Sequence, residues 1–420
     1  MAIETVPANR KLDTQAGRQS RIAAVLLIGL SALTAMVFAQ VGDGDAVFRL
    51  SRATDAIVLP DLAVPAMEFN YIAAGVLAFL GVRLWIRGGS GRISLSLGFG
   101  LLLAVAAFLV WATAGKAFSL TGMLQATVVR AVPIALGGLA GVLSERVAVT
   151  NIAIEGMLLA GAFTGALAGS LLGGWGGIAA AMVVGGLFGL LLAALVVTYR
   201  VDQIIAGVVI NLFVLGITSY VSSQVFQEYR FLNNAPVFQA ISIPFLSDIP
   251  IIGPVLFQQN IFVYGALVMV AVATYYLFYT RTGLRARAVG EHPRAADTLG
   301  IDVYRIRYVN VTIAGMVAGF GGAWLTLGLV GRFDENMTGG RGYIALAAMI
   351  FGRWHPVGAL MAALIFGFAD SLQQKLALLQ TPIPAEFLAM APYLATIVVV
   401  AGLIGRARAP AADGKPYIKE

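Results

Sequence analysis

The sequence predicts an all-α, polytopic transmembrane bundle of about ten to twelve spans, some of them broken or re-entrant. Three observations carry that expectation. Of 420 residues, 59% are hydrophobic and only 12% are charged, more apolar surface than a soluble fold of this length can hide. The apolar residues come in continuous runs long enough to cross a bilayer, not in the alternation of a transmembrane barrel. Lysine and arginine gather in short segments beside those runs, the distribution expected of cytoplasmic loops. The net charge of +7 therefore reflects orientation in a membrane and does not indicate nucleic acid as a partner. Cysteine is absent, which excludes disulfides and thiolate metal sites. The two histidines, His292 and His355, have no metal-ligand spacing, so neither a metal nor a cofactor is expected.

The runs read in order as 22–39, 70–86, 93–112, 125–143, 152–172, 177–198, 203–221, 261–280, 308–330, 342–352, 356–372 and 391–405. Arg10, Lys11, Arg18 and Arg21 precede the first of them, which reads as an uncleaved anchor with a cytoplasmic tail over 1–20. On that orientation Arg87, Arg92, Arg200, the loop 281–307, Arg406 and Arg408 all fall inside. The acidic segment 40–69, with Asp43, Asp45, Asp55, Asp61 and Glu68, falls outside, as does 222–260. Residues 21–407 then form one membrane domain and 408–420 a loose cytoplasmic tail, so both termini are cytoplasmic. The run 342–352 is short for a span at 1.5 Å per residue and is expected to pair with 356–372 as a re-entrant element.

The 49 glycines sit largely inside the runs, at small-xxx-small spacings such as 161/165/169, 185/189 and 315/319, which suit close helix packing in lipid. A faint internal echo relates glycine-rich 137–143, polar 144–151 and apolar 152–172 to glycine-rich 315–322, polar 331–341 and apolar 342–352. Broken helices at corresponding places are a transporter feature.

Polar chemistry is sparse. Asn151 and Glu155 are four residues apart at the first break, a spacing that puts them on one helix face. Two compatible roles are open to them: lining a solute path, as costly intramembrane polar groups often do, and capping, with Asn151 at the start of a helix whose first turn favours the Glu155 carboxylate. The second break, 332–342, holds Asn336 and reads as a solvated loop or a re-entrant segment beside the path. Asn211 is a further polar group inside a run, and Arg130 is expected to pair with a carboxylate or to snorkel. In the basic loop 281–307, Pro293 suits the first position of a short helix and Gly300 the residue just past its end. A helix this short is marginal alone, which points to a soluble protein partner. No phosphate-binding G-x-x-x-x-G-K-[ST], H-E-x-x-H or nucleophile-elbow motif is present. The chain is not expected to be an enzyme, and any ATP hydrolysis must come from another subunit.

The stretches GVLSERVAVTNIAIEGMLLAGAF (141–163), GLRARAVGEHPRAADTLGIDVYRIRY (283–308), ENMTGGRGYIALAAMIFGRWHPVGAL (335–360) and FGFADSLQQ (366–374) resemble the permease subunits of bacterial ABC importers of the nucleoside (basic-membrane-protein) type. They are more distantly similar to ribose and branched-chain amino-acid permeases. The resemblance spans about 120–405 and implies a multi-pass protein of the bacterial cytoplasmic membrane. It also implies two cytosolic ATP-binding subunits, a second related permease, an extracytoplasmic solute-binding protein and a small polar solute, nucleoside or purine-like, moved by alternating access. In such permeases Glu291, His292, Pro293, Arg294, Ala295, Ala296 and Gly300 would form the ATPase coupling helix. Asn151, Glu155, Asn211 and Asn336 are the candidate pathway residues. One departure is Arg146–Thr150, where relatives often carry a glycine-containing turn. A competing class is an ion-coupled secondary transporter, for which Glu155 and Asp370 are the available carboxylates; a sugar or amino-acid ABC permease, and a membrane enzyme or scaffold, are the others.

Overall fold

In a bilayer, a run of Leu, Val, Ala and Gly has no water with which to satisfy its backbone, and the helix pairs every N–H and C=O within the segment. The computed structural model of the chain, which describes residues 8–40, 44–52, 55, 57–87, 93–379, 387, 390 and 408–419, follows that rule. Its helices are α1 (Ala8–Leu33), α2 (Ala66–Arg87), α3 (Ile93–Ala112), α4 (Leu120–Glu145), α5 (Ile154–Ala193), α6 (Gln203–Val221), α7 (Ile261–Tyr279), α8 (Arg281–Glu291), α9 (Pro293–Thr298), α10 (Val303–Leu325), α11 (Arg341–Phe351) and α12 (Pro356–Leu378). Several end in a π-helical turn, as α10 does at Thr326–Val330. Among the described residues nine helices are long and apolar enough to cross a membrane. The expected run 391–405 lies outside the described residues.

The chain divides into two compact units, Met1–Gly122 with Gln374–Leu388 and Met123–Gln373 with Ala389–Glu420. In the first, α1 runs through the boundary at residue 20 that the sequence suggested, because the polar stretch before it is rich in residues compatible with a helix. Ser20 and Ser31 tie α1 to α2 through the Leu84 and Ala74 carbonyls. The acidic segment is not simply a loop. It forms β1 (Asp45–Arg49), paired antiparallel with β2 (Leu62–Pro65) and parallel with β3 (Ala117–Ser119).

In the second unit, α5 and its π turn run 45 residues from Ile154 to Thr198, about 67 Å if straight, more than twice a hydrocarbon core of about 30 Å. The chain turns back at Gly173, whose φ of 79° and ψ of 173° interrupt the helix; glycine alone takes that backbone without strain. The expected spans 152–172 and 177–198 are thus the arms of one helical hairpin. Both arms embrace α10. Gly161 meets Gly319 and Gly169 meets Leu327, so the first arm runs parallel to α10, whereas Gly185 meets Gly315 and Gly189 meets Val311, so the second runs antiparallel. A Cβ on Gly319 would lie 2.1 Å from the Ala181 carbonyl oxygen.

A second hairpin, α11 and α12, closes through Gly352 and Gly358 and embraces α4 in the same manner. Ala345 and Met349 run parallel to Gly137 and Gly141, and Ala359 and Gly367 run antiparallel to Gly138 and Ala131. The internal echo in the sequence therefore corresponds to two related halves that exchange hairpins. The hairpin following α4 packs on α10, and the one following α10 packs on α4. With 23 residues, α12 is long enough to cross alone, so only α11 is short.

Three further differences from the sequence reading have local causes. Asp302 accepts from the Arg305 N–H at 3.0 Å and starts α10 at residue 303, so the last part of the 281–307 loop is already helix. The basic segment folds as two short helices, α8 and α9, because His292 and Pro293 interrupt the backbone ladder. The tail 408–419 is packed rather than loose, with Ala412 and Tyr417 buried.

The close helix approach gives a direct test. Gly319→Val should lower membrane abundance and the thermal midpoint, since overpacking costs about 1–3 kcal/mol. Gly216→Val, at a glycine with nothing within 4 Å of a built Cβ, should leave both near wild type.

Candidate functional site

Two polar constructions stand out in the second unit. The first is the interrupted stretch between α4 and α5. Helix α4 is closed by Val149 N–H donating to the Ser144 carbonyl at 3.1 Å, with Ala148 held at a φ of 61°. Ala148 thus takes the left-handed position that a glycine-containing turn would fill, the place where this sequence departs from its resembled family. The chain then runs non-helically to Ala153, which begins α5 without a side-chain cap.

Helix α6, capped by Asp202, lies along this stretch as a splint. Gln203, Gly207 and Asn211 are successive i,i+4 positions and so share one face. Gln203 Oε1 accepts from Thr150 N–H at 2.6 Å. Asn211 Nδ2 donates to the Ile152 carbonyl at 2.9 Å, and its Oδ1 accepts from Gly156 N–H at 2.7 Å. Asn211 Nδ2 also lies 3.2 Å from the Tyr343 hydroxyl. The cap that Ala153 cannot provide thus comes from another helix.

Glu155 performs the reciprocal service for α11. Gly340 N–H donates to Glu155 Oε1 at 2.8 Å and Gly342 N–H to Oε2 at 2.6 Å. Gly340 gives α11 no side-chain cap of its own, so the carboxylate meets both the unpaired N–H groups and the positive end of the helix dipole. A Cβ on Gly342 would lie 2.5 Å from Glu155 Cα.

The structure therefore joins Glu155, Asn211 and Tyr343 at one junction, and it separates other expected neighbours. Asn151 is fully buried but precedes α5, so it neither shares a helix face with Glu155 nor caps that helix. Its Nδ2 faces Met157 Sδ at 3.8 Å and its Oδ1 has no hydrogen-bond partner. Asn336 is exposed on the 331–340 loop, at a φ of 52°. In that loop Asp334–Asn336 are exposed while Phe333 and Thr338 are buried. Arg130 pairs with Asp370 at 2.8 Å, as one of its two expected fates.

The second construction carries the residues assigned to coupling. Thr280 caps α8 through Gly283 N–H. Gly290, near the end of α8, faces the Arg146 carbonyl so closely that a Cβ would sit 2.2 Å from it. Arg146 Nε donates to the Trp354 carbonyl at 2.8 Å, and Trp354 Nε1 donates to Glu145 at 2.5 Å. The Phe278 ring lies under Arg146 and Arg287, at 5.6 and 5.0 Å, and stacks on His355 at 4.6 Å. Burial, followed by the charge of Arg146, pushes the His355 pKa below its ordinary value, which keeps the stacked ring neutral at neutral pH. Burial, and then Arg287, lowers the pKa of Arg146 itself. Glu291, His292, Arg294, Ala295 and Gly300 are exposed, Pro293 opens α9 and Ala296 is buried; Gly300 has the expected positive φ, 77°.

Gln203, Tyr343, Trp354 and the tail contacts were missed by sequence reasoning. The one available signal was the spacing of Gln203, Gly207 and Asn211 on one face. No group of His, Cys, Asp and Glu able to hold a metal occurs among the described residues.

Residues 123–405 match the family model described as branched-chain amino acid transport system / permease component. The chain belongs to this permease family. Among its relatives, the guanosine ABC transporter permease protein NupQ of Bacillus subtilis is 43% identical over 71% of this chain and 96% of that protein. The nucleoside ABC transporter permease protein NupC of Lactococcus lactis is 40% identical over 68% of this chain and 93% of its own length. The ribose import permease protein RbsC of Escherichia coli is more distant, 28% identical over 50% of this chain and 65% of its length. No solved structure matches the chain. The protein is thus a membrane-embedded transport permease and not an enzyme.

Glu155→Gln would set an amide N–H against a backbone N–H, and an unpaired buried donor costs about 1–3 kcal/mol. The thermal midpoint of the purified permease should fall for Glu155→Gln, and at least as far for Asn211→Leu, which removes the partners of Ile152 and Gly156 together. Unchanged midpoints in both variants would refute the structural role of the junction.

Proposed function

We propose that the chain is the membrane subunit of an ABC importer that carries a nucleoside or purine-like solute into the cell by alternating access. The observation carrying this reading is its similarity to guanosine and nucleoside permeases over more than nine-tenths of their lengths. Two cytosolic ATP-binding subunits dock on α8 and α9, where exposed His292 and Arg294 offer a polar surface and exposed Ala295 leaves room for close approach. A second, related permease completes the membrane part, and a solute-binding protein delivers the solute on the other side. Both termini and the 281–307 segment face the cytosol, in the bacterial cytoplasmic membrane.

The site geometry supports a route from ATPase to solute path. Gly290 of α8 rests on the Arg146 carbonyl, and Arg146 begins the stretch leading to Asn151 and Glu155. A displacement of α8 and α9 is therefore passed directly to the junction of the two interrupted helices. The junction of Asn211 and Glu155 forms the polar part of the path, with Asn151 in the stretch that precedes α5 and Asn336 at the entrance. An ion-coupled mechanism is disfavoured by the carboxylates themselves. Glu155 is held by two backbone N–H groups and Asp370 by Arg130, which leaves neither poised to take up and release a cation.

Labelled nucleoside uptake into a strain lacking the permease tests this reading. Nucleosides should compete for uptake, while ribose and branched-chain amino acids should not. Inactivating the partner ATPase should abolish uptake. Competition by ribose alone would assign a sugar permease, and uptake surviving ATPase inactivation would assign an ion-coupled carrier. Sidedness has its own check. Cysteines placed at 45–65 or 235–250 should react with an impermeant reagent in intact cells, and cysteines at 285–300 should not.

A further inference from the structure

The 408–419 segment is the feature of this unit that the family reading leaves without a role. Its contacts are neither few nor random. Ala412 N–H donates to the Gly290 carbonyl at 3.1 Å and Ala411 N–H to Glu291 Oε2 at 3.2 Å. The Tyr417 hydroxyl donates to Asp297 Oδ2 at 2.7 Å, and Lys419 lies 3.6 Å from the same carboxylate. Both coupling helices, α8 and α9, are therefore gripped from one side. On the other side Asp413 Oδ1 accepts from the Thr150 hydroxyl at 3.1 Å and meets the Glu145 carboxyl. These two residues belong to the end of α4 and to the stretch that α6 splints. The Tyr417 ring completes the seat, 5.6 Å from Tyr304 and 6.0 Å from the guanidinium of Arg307, which is buried at the start of α10.

Alone, α9 is six residues long and has little intrinsic stability. A helix so short transmits a push only if its far side is braced. The segment supplies that brace and ties it to the stretch that has to move. Burial raises the pKa of the Asp413 carboxyl against the pull of its Thr150 hydrogen bond, so this contact sits in a desolvated seat rather than on open surface.

We propose that residues 410–419 form a strap that fastens α8 and α9 to the α4–α5 interruption, with Asp413 and Tyr417 as positioning residues that make the coupling helices and the solute path move as one body. The consequence for transport rests on the importer reading above; the strap itself does not.

The test compares the full-length permease with Asp413→Lys combined with Tyr417→Ala, and with Asp413→Asn, whose amide can still accept from Thr150 and donate to Glu145. Amide hydrogen exchange across Gly290–Asp297 in nanodiscs should quicken by about tenfold in the double variant, equivalent to ~1.4 kcal/mol of local stability, and should be near wild type in Asp413→Asn. In the reconstituted transporter, nucleoside imported per ATP hydrolysed should fall severalfold in the double variant while ATP hydrolysis persists, and Asp413→Asn should restore the ratio. Unchanged exchange in the double variant overturns the strap, whatever the transport result. Equal loss of ATP hydrolysis and uptake reduces it to a folding element and overturns the positioning role. A wild-type transporter that imports no nucleoside overturns the importer reading instead, and the exchange measurement still decides the strap.

Discussion

Two backbone N–H groups, those of Gly340 and Gly342, end on the single carboxylate of Glu155, and the membrane part of the second unit is organised around that contact. A helix that starts inside a bilayer exposes unpaired N–H groups where water cannot reach them. A helix that starts without a side-chain cap, as both α5 and α11 do, must borrow one. Here each interrupted helix is completed from outside, α11 by Glu155 of α5 and α5 by Asn211 of α6. The negative charge that would be hard to keep in lipid is stabilised by the dipole it terminates. Breaking either helix's support leaves buried donors behind, so the two interruptions are energetically one object.

Around this junction the bundle is built by backbone contact rather than by side-chain interdigitation. Lipid provides little hydrophobic drive between helices, so close approach through small residues supplies the packing. Glycines of α5 and α10 bring carbonyl oxygens to within 1.9–2.5 Å of where a Cβ would stand. Each hairpin packs on the partner half's long helix, so the two halves interlock. That arrangement suits a molecule whose proposed task is to change access from one side to the other as a unit.

The proposed coupling surface follows the same logic where α4 ends and the interrupted stretch begins. Arg146, Phe278, Arg287, His355 and Trp354 form one cluster of stacked rings and guanidinium groups. It touches the ends of α4 and α7, the second half of α8 and the turn between α11 and α12. The cluster thus joins α8 to the turn of the α11–α12 hairpin. The tail adds a second tie to the same place.

The sequence by itself determined what depends on composition and on local backbone chemistry. It determined the helical membrane class, most span positions, the interruptions near 144–151 and 331–341, the Pro293 and Gly300 boundaries, and the permease family. Each rests on solvation of an apolar run or on the backbone demands of one residue, and these are visible along the chain. Tertiary structure decided who satisfies whom. Asn151 and Glu155 look like partners at four-residue spacing, yet α5 begins only at residue 154, and Glu155 reaches 187 residues along the chain to Gly342. Gln203, Tyr343 and Trp354 look like ordinary span and loop residues until a distant segment places the Thr150 N–H, Asn211 or Glu145 beside them. The tail is polar enough to read as loose, and only the acceptors offered by α8 and α9 and the Thr150 hydroxyl donor of the α4–α5 stretch give it a fixed place. A hydrogen bond between distant segments has no periodicity and leaves no local signature, so it is settled only when packing brings an unsatisfied group within about 3 Å of its partner.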